Sequence, residues 1–516
     1  MGYLVSTEQA GYNGSWISFA LGRKQWAYVA DTRPSTHPIA ADVPDLETAR
    51  QVFDGISYAK GASVLKQLMA YAGRDAFLDA SKAYFNKHAF SSTTLDDFVS
   101  CLKDSSDADL STWVPSWLET SGPSIITTER DGDKLFVTTE SVDAMTGKPV
   151  QRNHRVTVST FARGDNGVKR TASVSVLLDK PRVEVPLPEG TAVDLAIAND
   201  EDLTYALLRF DPKSVDVLTE NISSLEPTLT RAVAWSALWN MVRDAKLPAA
   251  RFLEAVQNNI LAEADSGILA LVLGLAGEAT SFFLPPKARP DAAANLIKTL
   301  SKGLAAAEPG SDQQRQWANA LVREAADSPS GESPLRDLLA GKVSGLELTP
   351  TLRWRALASL AALGKTDKSE LDAEYKRDST MTGATALARA EASFPGVEVK
   401  RRVWDELTTE SLTNDRQGAL IAGFAQGPSS DRKEFVAPYF ANLTKWWKEM
   451  TMTMATRLAR GVFPGSSIEE GKLGSNAVEK AAQAWLDQNE NAAKSLRRIV
   501  IEGLAGLRRQ LAAQEL

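Results

Sequence analysis

Three histidines and one cysteine are the side chains in this sequence best suited to bind a metal ion or to act as a nucleophile. The histidines are His37, His88 and His154, and no two of them have the four-residue spacing that places both imidazoles on one face of a helix. Their positions in a loop, at a helix end and at a strand start predict surface and capping histidines. Cys101 is the sole cysteine, and a lone cysteine is more often a small buried apolar residue than a reactive thiol. The sequence therefore predicts no metal-binding and no cofactor-binding residue in this chain.

Motifs for phosphate binding and for serine nucleophiles are absent as well. The sequence contains no G-x-x-x-x-G-K-[ST] loop, no G-x-G-x-x-G after a strand and no G-x-S-x-G elbow. The net charge of −7 gives no attraction to nucleic acid, and the basic clusters at 400–402 and 497–509 are typical of solvated helix faces. We therefore expect no nucleic-acid partner.

The apolar runs and the N-terminal residues indicate where in the cell the protein is located. The longest apolar run, GILALVLGLAG at 267–277, is shorter than the roughly 20 residues that span a bilayer, and it is typical of a buried helix. The first residues lack the basic and apolar segments of a secretory signal, and one cysteine cannot form an intramolecular disulfide. We therefore expect a cytoplasmic location and no membrane contact.

Tyr58 is the remaining candidate for chemistry. It lies in FDGISYAKGASVLKQL, residues 53–68, directly before an amphipathic helical run. Periodicity alone predicts a half-buried core tyrosine, because a phenol at a helix start often buries its ring and hydrogen-bonds its hydroxyl. A functional interpretation of this residue therefore depends on the elements that position it.

Hydrophobic periodicity divides the chain into a helical region at 1–122, a strand-rich region at 123–200 and a second helical region at 201–516. In the middle region, short segments rich in Val and Thr, such as KLFVTTE, alternate with turn signals and predict a small antiparallel β-sandwich. In the last region, helical runs broken by Pro, Gly and Ser predict a superhelical domain that resembles an α-solenoid. The predicted fold class is mixed and mainly α.

Three stretches of the sequence, at 35–68, 73–122 and 197–211, closely resemble the zinc metallopeptidases of the aminopeptidase N family, in particular the soluble enzymes of actinobacteria. The resemblance covers essentially the whole chain in order. Members of that family combine a thermolysin-like catalytic lobe, a small β-sandwich and a long C-terminal helical domain. Residues 1–122 would then be the C-terminal helical part of the catalytic domain.

The resemblance assigns a role to Tyr58. In the family, the tyrosine of a [YF]-x-K-G motif donates a hydrogen bond to the oxyanion of the tetrahedral intermediate, and here that motif runs from Tyr58 to Gly61. A phenol is protonated at neutral pH and therefore suits this role. Lys60 and Gly61 are interpreted as residues of the helix entry rather than as catalytic groups.

The metal site of the family has no counterpart in this sequence. The H-E-x-x-H motif, the third zinc-binding glutamate, the G-x-M-E-N segment and the N-terminal β-domain are all missing. The resemblance therefore implies the C-terminal portion of an aminopeptidase that uses zinc and cleaves peptide substrates when complete. We expect this portion to hold no zinc, to be inactive alone and to need a complementing N-terminal half. Because the rest of the catalytic domain would be missing, the resemblance also predicts exposed apolar side chains within residues 1–30.

A second hypothesis keeps the same helices but assigns them no catalysis. Solenoids offer extended concave surfaces, so the last region would suit a non-catalytic helical-repeat module that binds peptide or a partner protein. The intact tyrosine motif favours the peptidase hypothesis, because a free-standing binding module has no need of it.

Overall fold

The computed structural model describes residues 2–12, 14–165, 167–409, 411–466 and 471–516. The chain forms two compact units, Met1–Met241 and Val242–Leu516, each of which is described on its own below. The first unit contains helices followed by strands, and the second unit is helical. This architecture confirms the predicted mixed, mainly α fold class.

The first unit begins with short helices. They are α1 (Gly2–Glu8), α2 (Ser15–Ser18), α3 (Lys24–Asp31), α4 (Leu46–Val52), α5 (Gly61–Ala72), α6 (Arg74–Lys87), α7 (Leu95–Ser105) and α8 (Leu110–Leu118). Two π-helical turns, Phe19–Arg23 and Ile56–Lys60, lead directly into α3 and α5. At the start of α7 the backbone N–H of Thr94 donates to the Asp97 carboxylate at 2.8 Å, which satisfies a donor that has no partner inside the helix.

Aromatic side chains, including two tryptophans, form the core between these helices. Trp113 and Trp117 of α8 are both 1 % exposed, and they pack with Tyr28 of α3, Phe77 of α6 and Leu102 of α7. Burying a large aromatic side chain contributes about 1.5–3 kcal/mol or more, so this cluster fixes α3 relative to the later helices. The core therefore holds in place α3, against which the π-helical turn Ile56–Lys60 packs.

Seven strands follow among the residues of the first unit that the structure describes. They are β1 (Ser124–Asp131), β2 (Lys134–Glu140), β3 (His154–Gly164), β4 (Gly167–Leu178), β5 (Arg182–Glu184), β6 (Leu195–Ala198) and β7 (Ala206–Arg209). One sheet has the order β5-β2-β1-β7 and the other has the order β4-β3-β6. All pairings are antiparallel except that of β1 with β7, in which Ser124 lies opposite Ala206 and Thr127 opposite Arg209. The predicted antiparallel sandwich therefore includes one parallel pair.

The regular elements in the rest of the described chain are helices. After α9 (Pro212–Asn221), the second unit begins within α10 (Thr228–Arg243). The later helices are α11 (Ala249–Asn259), α12 (Ser266–Glu278), α13 (Arg289–Ala306), α14 (Asp312–Glu324), α15 (Glu332–Leu339), α16 (Pro350–Ala362), α17 (Lys368–Arg377), α18 (Met381–Ser393), α19 (Val397–Thr409), α20 (Asn414–Phe424), α21 (Val436–Glu449), α22 (Met452–Gly461), α23 (Ala477–Gln488) and α24 (Lys494–Gln514).

Alternate helices of the second unit pack side by side. Helix α12 contacts α14, and the contacts continue through α16, α18, α20 and α22 to α24. Helix α24 then packs against the π-helical turn Ala279–Phe283 that follows α12, and the Gln514 amide donates to the carbonyl of Phe282 at 2.8 Å. The two ends of this helical array therefore meet, which covers the apolar faces that an open array would leave exposed.

One apolar segment of the second unit is long enough to cross a membrane by length and composition. It runs from Ser266 to Phe283, and 56 % of it is buried inside the protein. Its side chains Ile268, Leu269 and Val272 are fully covered by neighbouring helices. The segment is thus a core helix of this unit.

The basic cluster at 400–402 is not wholly solvated as predicted. Lys400 is completely buried, and its ammonium group donates to the carbonyls of Ala392 at 2.8 Å and Gly423 at 3.0 Å. Burial lowers the pKa of Lys400 to about 7. The two carbonyls lie in the last turns of α18 and α20, and that of Gly423 also accepts the N–H of Gln426 at 3.0 Å. The sequence alone cannot show that Lys400 is buried, because its ammonium group is satisfied by the ends of two other helices.

Candidate active-site turn

Tyr58 lies on the π-helical turn Ile56–Lys60, directly before α5. Its side chain is 52 % exposed, and its ring packs edge-on against Phe53 with centroids 4.8 Å apart. No residue in the described part of the chain makes a hydrogen bond to its hydroxyl. Tyr58 is therefore exposed rather than the half-buried core tyrosine that periodicity alone predicts, and its phenol O–H is available to a ligand. π-Helical turns of this kind are frequent at functional sites.

The backbone of this turn is held by Asp54. Its Oδ1 accepts hydrogen bonds from the N–H groups of Ile56 at 2.8 Å and Ser57 at 3.4 Å, and its carbonyl accepts the N–H of Tyr58 at 3.2 Å. The Ser57 hydroxyl donates to the carbonyl of Val52 at 2.6 Å. The turn that carries Tyr58 is thus closed by hydrogen bonds on both sides, which restricts the direction of the phenol.

Gly55 lets the turn approach the backbone of α3. A Cβ at Gly55 would lie 2.9 Å from the N and Cα atoms of Ala27 and 2.9 Å from the carbonyl carbon of Trp26. Backbone atoms inside a packed helix cannot move aside as a flexible side chain can. The glycine is therefore required by this close contact, and the contact sets the depth at which Tyr58 sits.

Substituting Gly55 by alanine is expected to destabilise the first unit by about 1–3 kcal/mol, because the new methyl group overlaps the α3 backbone. The measurement is chemical denaturation of the 516-residue chain. Gly22→Ala is the matched control, since a Cβ at Gly22 meets nothing within 4 Å in another π-helical turn of the same unit. Equal stability of the two variants would contradict the close contact.

Lys60 is buried at the base of the same turn. Its Nζ lies 3.0 Å from Asp31 Oδ2, both side chains are fully buried, and the ammonium also donates to the carbonyl of Gly122 at 3.3 Å. Burial lowers the pKa of Lys60, and the neighbouring Asp31 carboxylate opposes that effect. Asp31 Oδ1 also accepts from Thr36 Oγ1 at 2.6 Å and from the N–H of Gly122 at 3.0 Å.

This ion pair joins three segments of the first unit: the end of α3, the tyrosine turn and the chain just before β1. The sequence interpretation placed Lys60 at a helix entry, yet its side chain makes no capping hydrogen bond to α5. Nothing in the local pattern marks its partner, because Asp31 is 29 residues away in the sequence. The lysine of the motif is a structural group that supports the tyrosine.

The segment at 197–211 contains a second buried ion pair. Lys24 Nζ lies 2.5 Å from Asp202 Oδ1 and donates to the carbonyl of Thr204 at 2.7 Å. Asn199, which has a positive φ of 63°, closes this loop by hydrogen bonds to both the N–H and the carbonyl of Thr204. The loop therefore attaches α3 to the strands.

The three histidines and the cysteine are dispersed. His37 pairs with Asp54, His88 lies 3.9 Å from Asp97, and Cys101 is buried in the α7 core. Within the residues that the structure describes, no three His, Cys, Asp or Glu side chains are grouped closely enough to hold a metal ion.

His154 is not the surface or capping histidine that its position suggested. It is fully buried, its Nδ1 lies 2.8 Å from Thr204 Oγ1, and its ring packs edge-on against Trp117 at 4.8 Å. Burial, with the charge of Arg152, lowers the pKa of His154 to about 3. The imidazole is therefore neutral at physiological pH.

The buried His154 predicts loss of stability in acid. An unfolded histidine binds a proton below about pH 6.5, whereas folded His154 binds one only near pH 3, so the unfolding free energy falls between these values by up to about 1.4 kcal/mol per pH unit. Denaturation of the wild type and of His154→Asn from pH 7 to pH 4 measures this slope. The variant is expected to have a shallower pH dependence, and parallel curves would contradict the buried neutral imidazole.

Two family models match the chain. The model described as the peptidase family M1 domain matches residues 1–117, which contain the tyrosine turn. The model described as the ERAP1-like C-terminal domain matches residues 195–509. The first match covers the helices that precede the strands, and the second covers most of the chain from β6 onward.

Individual relatives agree with the family models. The chain is 36 % identical to aminopeptidase N of Streptomyces lividans over 519 residues, which is 97 % of this chain and 59 % of that protein. It is 33 % identical over 120 residues to probable aminopeptidase 2 of Sulfurisphaera tokodaii, covering 23 % and 15 % of the two chains. It is 25 % identical over 198 residues to Tricorn protease-interacting factor F2 of Thermoplasma acidophilum, covering 38 % and 23 %. The chain thus spans about three fifths of the length of the Streptomyces lividans protein.

Proposed function

Because this chain belongs to the M1 peptidase family with an ERAP1-like C-terminal domain, we propose that it is a portion of a zinc-dependent aminopeptidase that releases N-terminal amino acids from peptides. The resemblance to the aminopeptidase N family is confirmed by the same matches. Peptidases of this family are zinc enzymes, and peptide substrates fit a peptidase of this kind.

Tyr58 is the group through which the chain contributes to catalysis. The main support for this role is that the Tyr58 side chain is 52 % exposed and makes no hydrogen bond to the described residues, while hydrogen bonds hold the backbone of its turn. A fixed O–H donor that faces no protein acceptor can donate to the oxygen on which negative charge develops when a peptide carbonyl is attacked. The donor stabilises that charge more than the neutral carbonyl, so it acts on the transition state rather than on substrate binding.

The described residues do not fit a zinc site. Both ring nitrogens of His37 already face oxygen atoms, His154 is enclosed by Trp117 and Thr204, and His88 lies beside a single carboxylate. Structural and catalytic zinc sites need at least three protein ligands around one point. We therefore propose that the zinc ligands lie on a different part of the complete enzyme and that this chain is inactive without them.

The first helices offer a surface for that other part. Helix α1 has no buried residue, and Val5, Tyr12 and Trp26 are 48 %, 69 % and 42 % exposed. The predicted apolar exposure within residues 1–30 is only partial, because Phe19, Ala20 and Leu21 are buried. Exposed apolar groups of this size mark interaction sites on many soluble proteins. We propose that a complementing N-terminal portion packs here.

The proposal is tested by complementation. The 516-residue chain is co-expressed with the part of the Streptomyces lividans aminopeptidase N that precedes the matched region, and release of a fluorophore from an aminoacyl amide is assayed. Activity is expected only when both polypeptides are present. A partner whose H-E-x-x-H histidines are replaced by alanine is the matched control and should restore nothing. A stable complex that contains zinc but lacks activity would contradict the proposal.

The alternative of a non-catalytic module that binds peptide or a partner protein remains a prediction. Titration calorimetry of the chain alone with mixed peptides distinguishes it from the peptidase portion. Binding without the complementing polypeptide is expected of the module and not of the peptidase portion.

A further inference from the structure

His37 and Asp54 form a buried pair directly behind the tyrosine turn. The Nε2 atom of His37 lies 3.2 Å from Asp54 Oδ2 and 3.3 Å from Asp54 Oδ1, and Nδ1 lies 2.8 Å from the carbonyl oxygen of Pro38. The two side chains are 11 % and 16 % exposed. The pair joins the loop after α3 to the residue that closes the turn.

His37 donates to Asp54 through Nε2, because a carboxylate oxygen can only accept a hydrogen bond. Partial burial alone would raise the pKa of Asp54, but the hydrogen bond and charge of His37 and the N–H groups of Ile56 and Ser57 lower it below its ordinary value. The carboxylate is therefore ionised at neutral pH and accepts hydrogen bonds from His37 and from the turn.

The same carboxylate that meets His37 holds the turn. Asp54 uses Oδ1 for the N–H groups of Ile56 and Ser57, while its carbonyl accepts the N–H of Tyr58. A charge-assisted hydrogen bond from His37 restricts the rotation of this carboxylate and keeps Oδ1 over the two amides. Without that bond, the carboxylate has one restraint fewer, and the acceptor of the two amides is held less firmly.

We propose that His37 and Asp54 are a positioning pair that fixes the direction of the Tyr58 phenol, and that the pair affects turnover only through Tyr58. This inference rests on the proposed function of Tyr58. His37 contacts the Pro38 carbonyl and the Asp54 carboxylate and acts on Tyr58 only through Asp54. It is therefore a positioning residue rather than a catalytic one. The expected consequence of breaking the pair is a lower kcat with little change in KM, because a displaced donor weakens the transition state and not substrate binding.

The first test measures the turn in the 516-residue chain without any assay of activity. His37→Leu keeps an apolar side chain of suitable size in the pocket and removes both hydrogen bonds, while His37→Gln retains one donor toward Asp54. Hydrogen exchange by mass spectrometry is expected to show amides 54–58 exchanging about tenfold faster in His37→Leu, since hydrogen bonds of ordinary strength are lost. The α6–α8 helices should exchange as in the wild type, and His37→Gln should recover part of the protection.

His88→Leu is the matched control for this measurement. It removes another histidine that faces an aspartate in the same unit, and it should leave the 54–58 amides protected. Unchanged exchange of the turn in His37→Leu would overturn the positioning pair. Faster exchange throughout the first unit would also overturn it, because that result describes a general loss of stability.

The second test is a double-mutant cycle in the complemented enzyme. His37→Leu should lower kcat about tenfold in the wild type and by less than about twofold in the Tyr58→Phe background, since non-additivity identifies residues that act together. Equal losses in both backgrounds would overturn the inference. If the complemented wild type has no activity at all, the proposed function of Tyr58 fails, while the exchange experiment still decides whether His37 holds the turn.

Discussion

Tyr58→Phe is expected to lower kcat of the complemented enzyme about 100- to 1000-fold, which corresponds to about 2.7–4 kcal/mol of transition-state stabilisation. The substitution removes one hydroxyl and keeps the ring, so the edge-on packing against Phe53 is retained. KM should change little, because the lost hydrogen bond forms as charge develops on the carbonyl oxygen. The measurement is steady-state hydrolysis of an aminoacyl amide.

Tyr375→Phe is the matched control for this experiment. Tyr375 lies on α17 of the second unit and is partly exposed, so removing its hydroxyl should leave kcat and KM unchanged. Full turnover by Tyr58→Phe would remove the catalytic role assigned to the exposed phenol. A parallel loss in both variants would point to a general effect of hydroxyl removal.

Lys60→Met is expected to destabilise the first unit by about 3–5 kcal/mol, because it leaves the Asp31 carboxylate buried without its counter-charge. Both members of the pair are fully buried, so solvent cannot screen the remaining charge. The expected result in urea denaturation is a lower midpoint with little change in slope. The loss should be larger than that of any exposed lysine substitution.

Lys82→Met is the control, since Lys82 and Asp79 form a pair 2.9 Å apart whose side chains are 73 % and 66 % exposed. Exposed pairs contribute about 0–1 kcal/mol, so this variant should remain near the wild type. The double variant Lys60→Met/Asp31→Leu should recover part of the lost stability, because the unpaired charge is removed as well. If Lys60→Met proves as stable as Lys82→Met, the ion pair does not support the tyrosine turn.

Local patterns predicted much of the fold, because their physical causes are local. Strand β2 coincides with the predicted KLFVTTE segment, since alternating side chains on a half-buried strand repeat every two residues. Thr94 is the N-cap of α7, and it forms a capping contact with Asp97 only three residues away. The short β7 and its parallel pairing with β1 could not be predicted in this way, because the register of a parallel pair depends on residues distant in the sequence.

The candidate site was only partly predictable for the same reason. Tyr58 stood out through the resemblance of its motif, whereas the groups that support it are contributed by other segments. His37 is 17 residues away from Asp54, and no periodicity links the two. Gly55 looks like an ordinary turn glycine until the backbone of α3 is placed against it. Charged residues are also expected at the surface, so Lys60 and Lys400 could not be identified as buried from the sequence.

The central claim is that this chain supplies the phenol donor of an aminopeptidase whose metal ligands lie on another part of the enzyme. Its most direct test is the zinc content and peptidase activity of the purified 516-residue chain after dialysis against zinc. The account predicts far less than one zinc ion per chain and no release of N-terminal residues until the complementing polypeptide is added. One tightly held zinc ion per chain, together with peptide trimming by the chain alone, would contradict it.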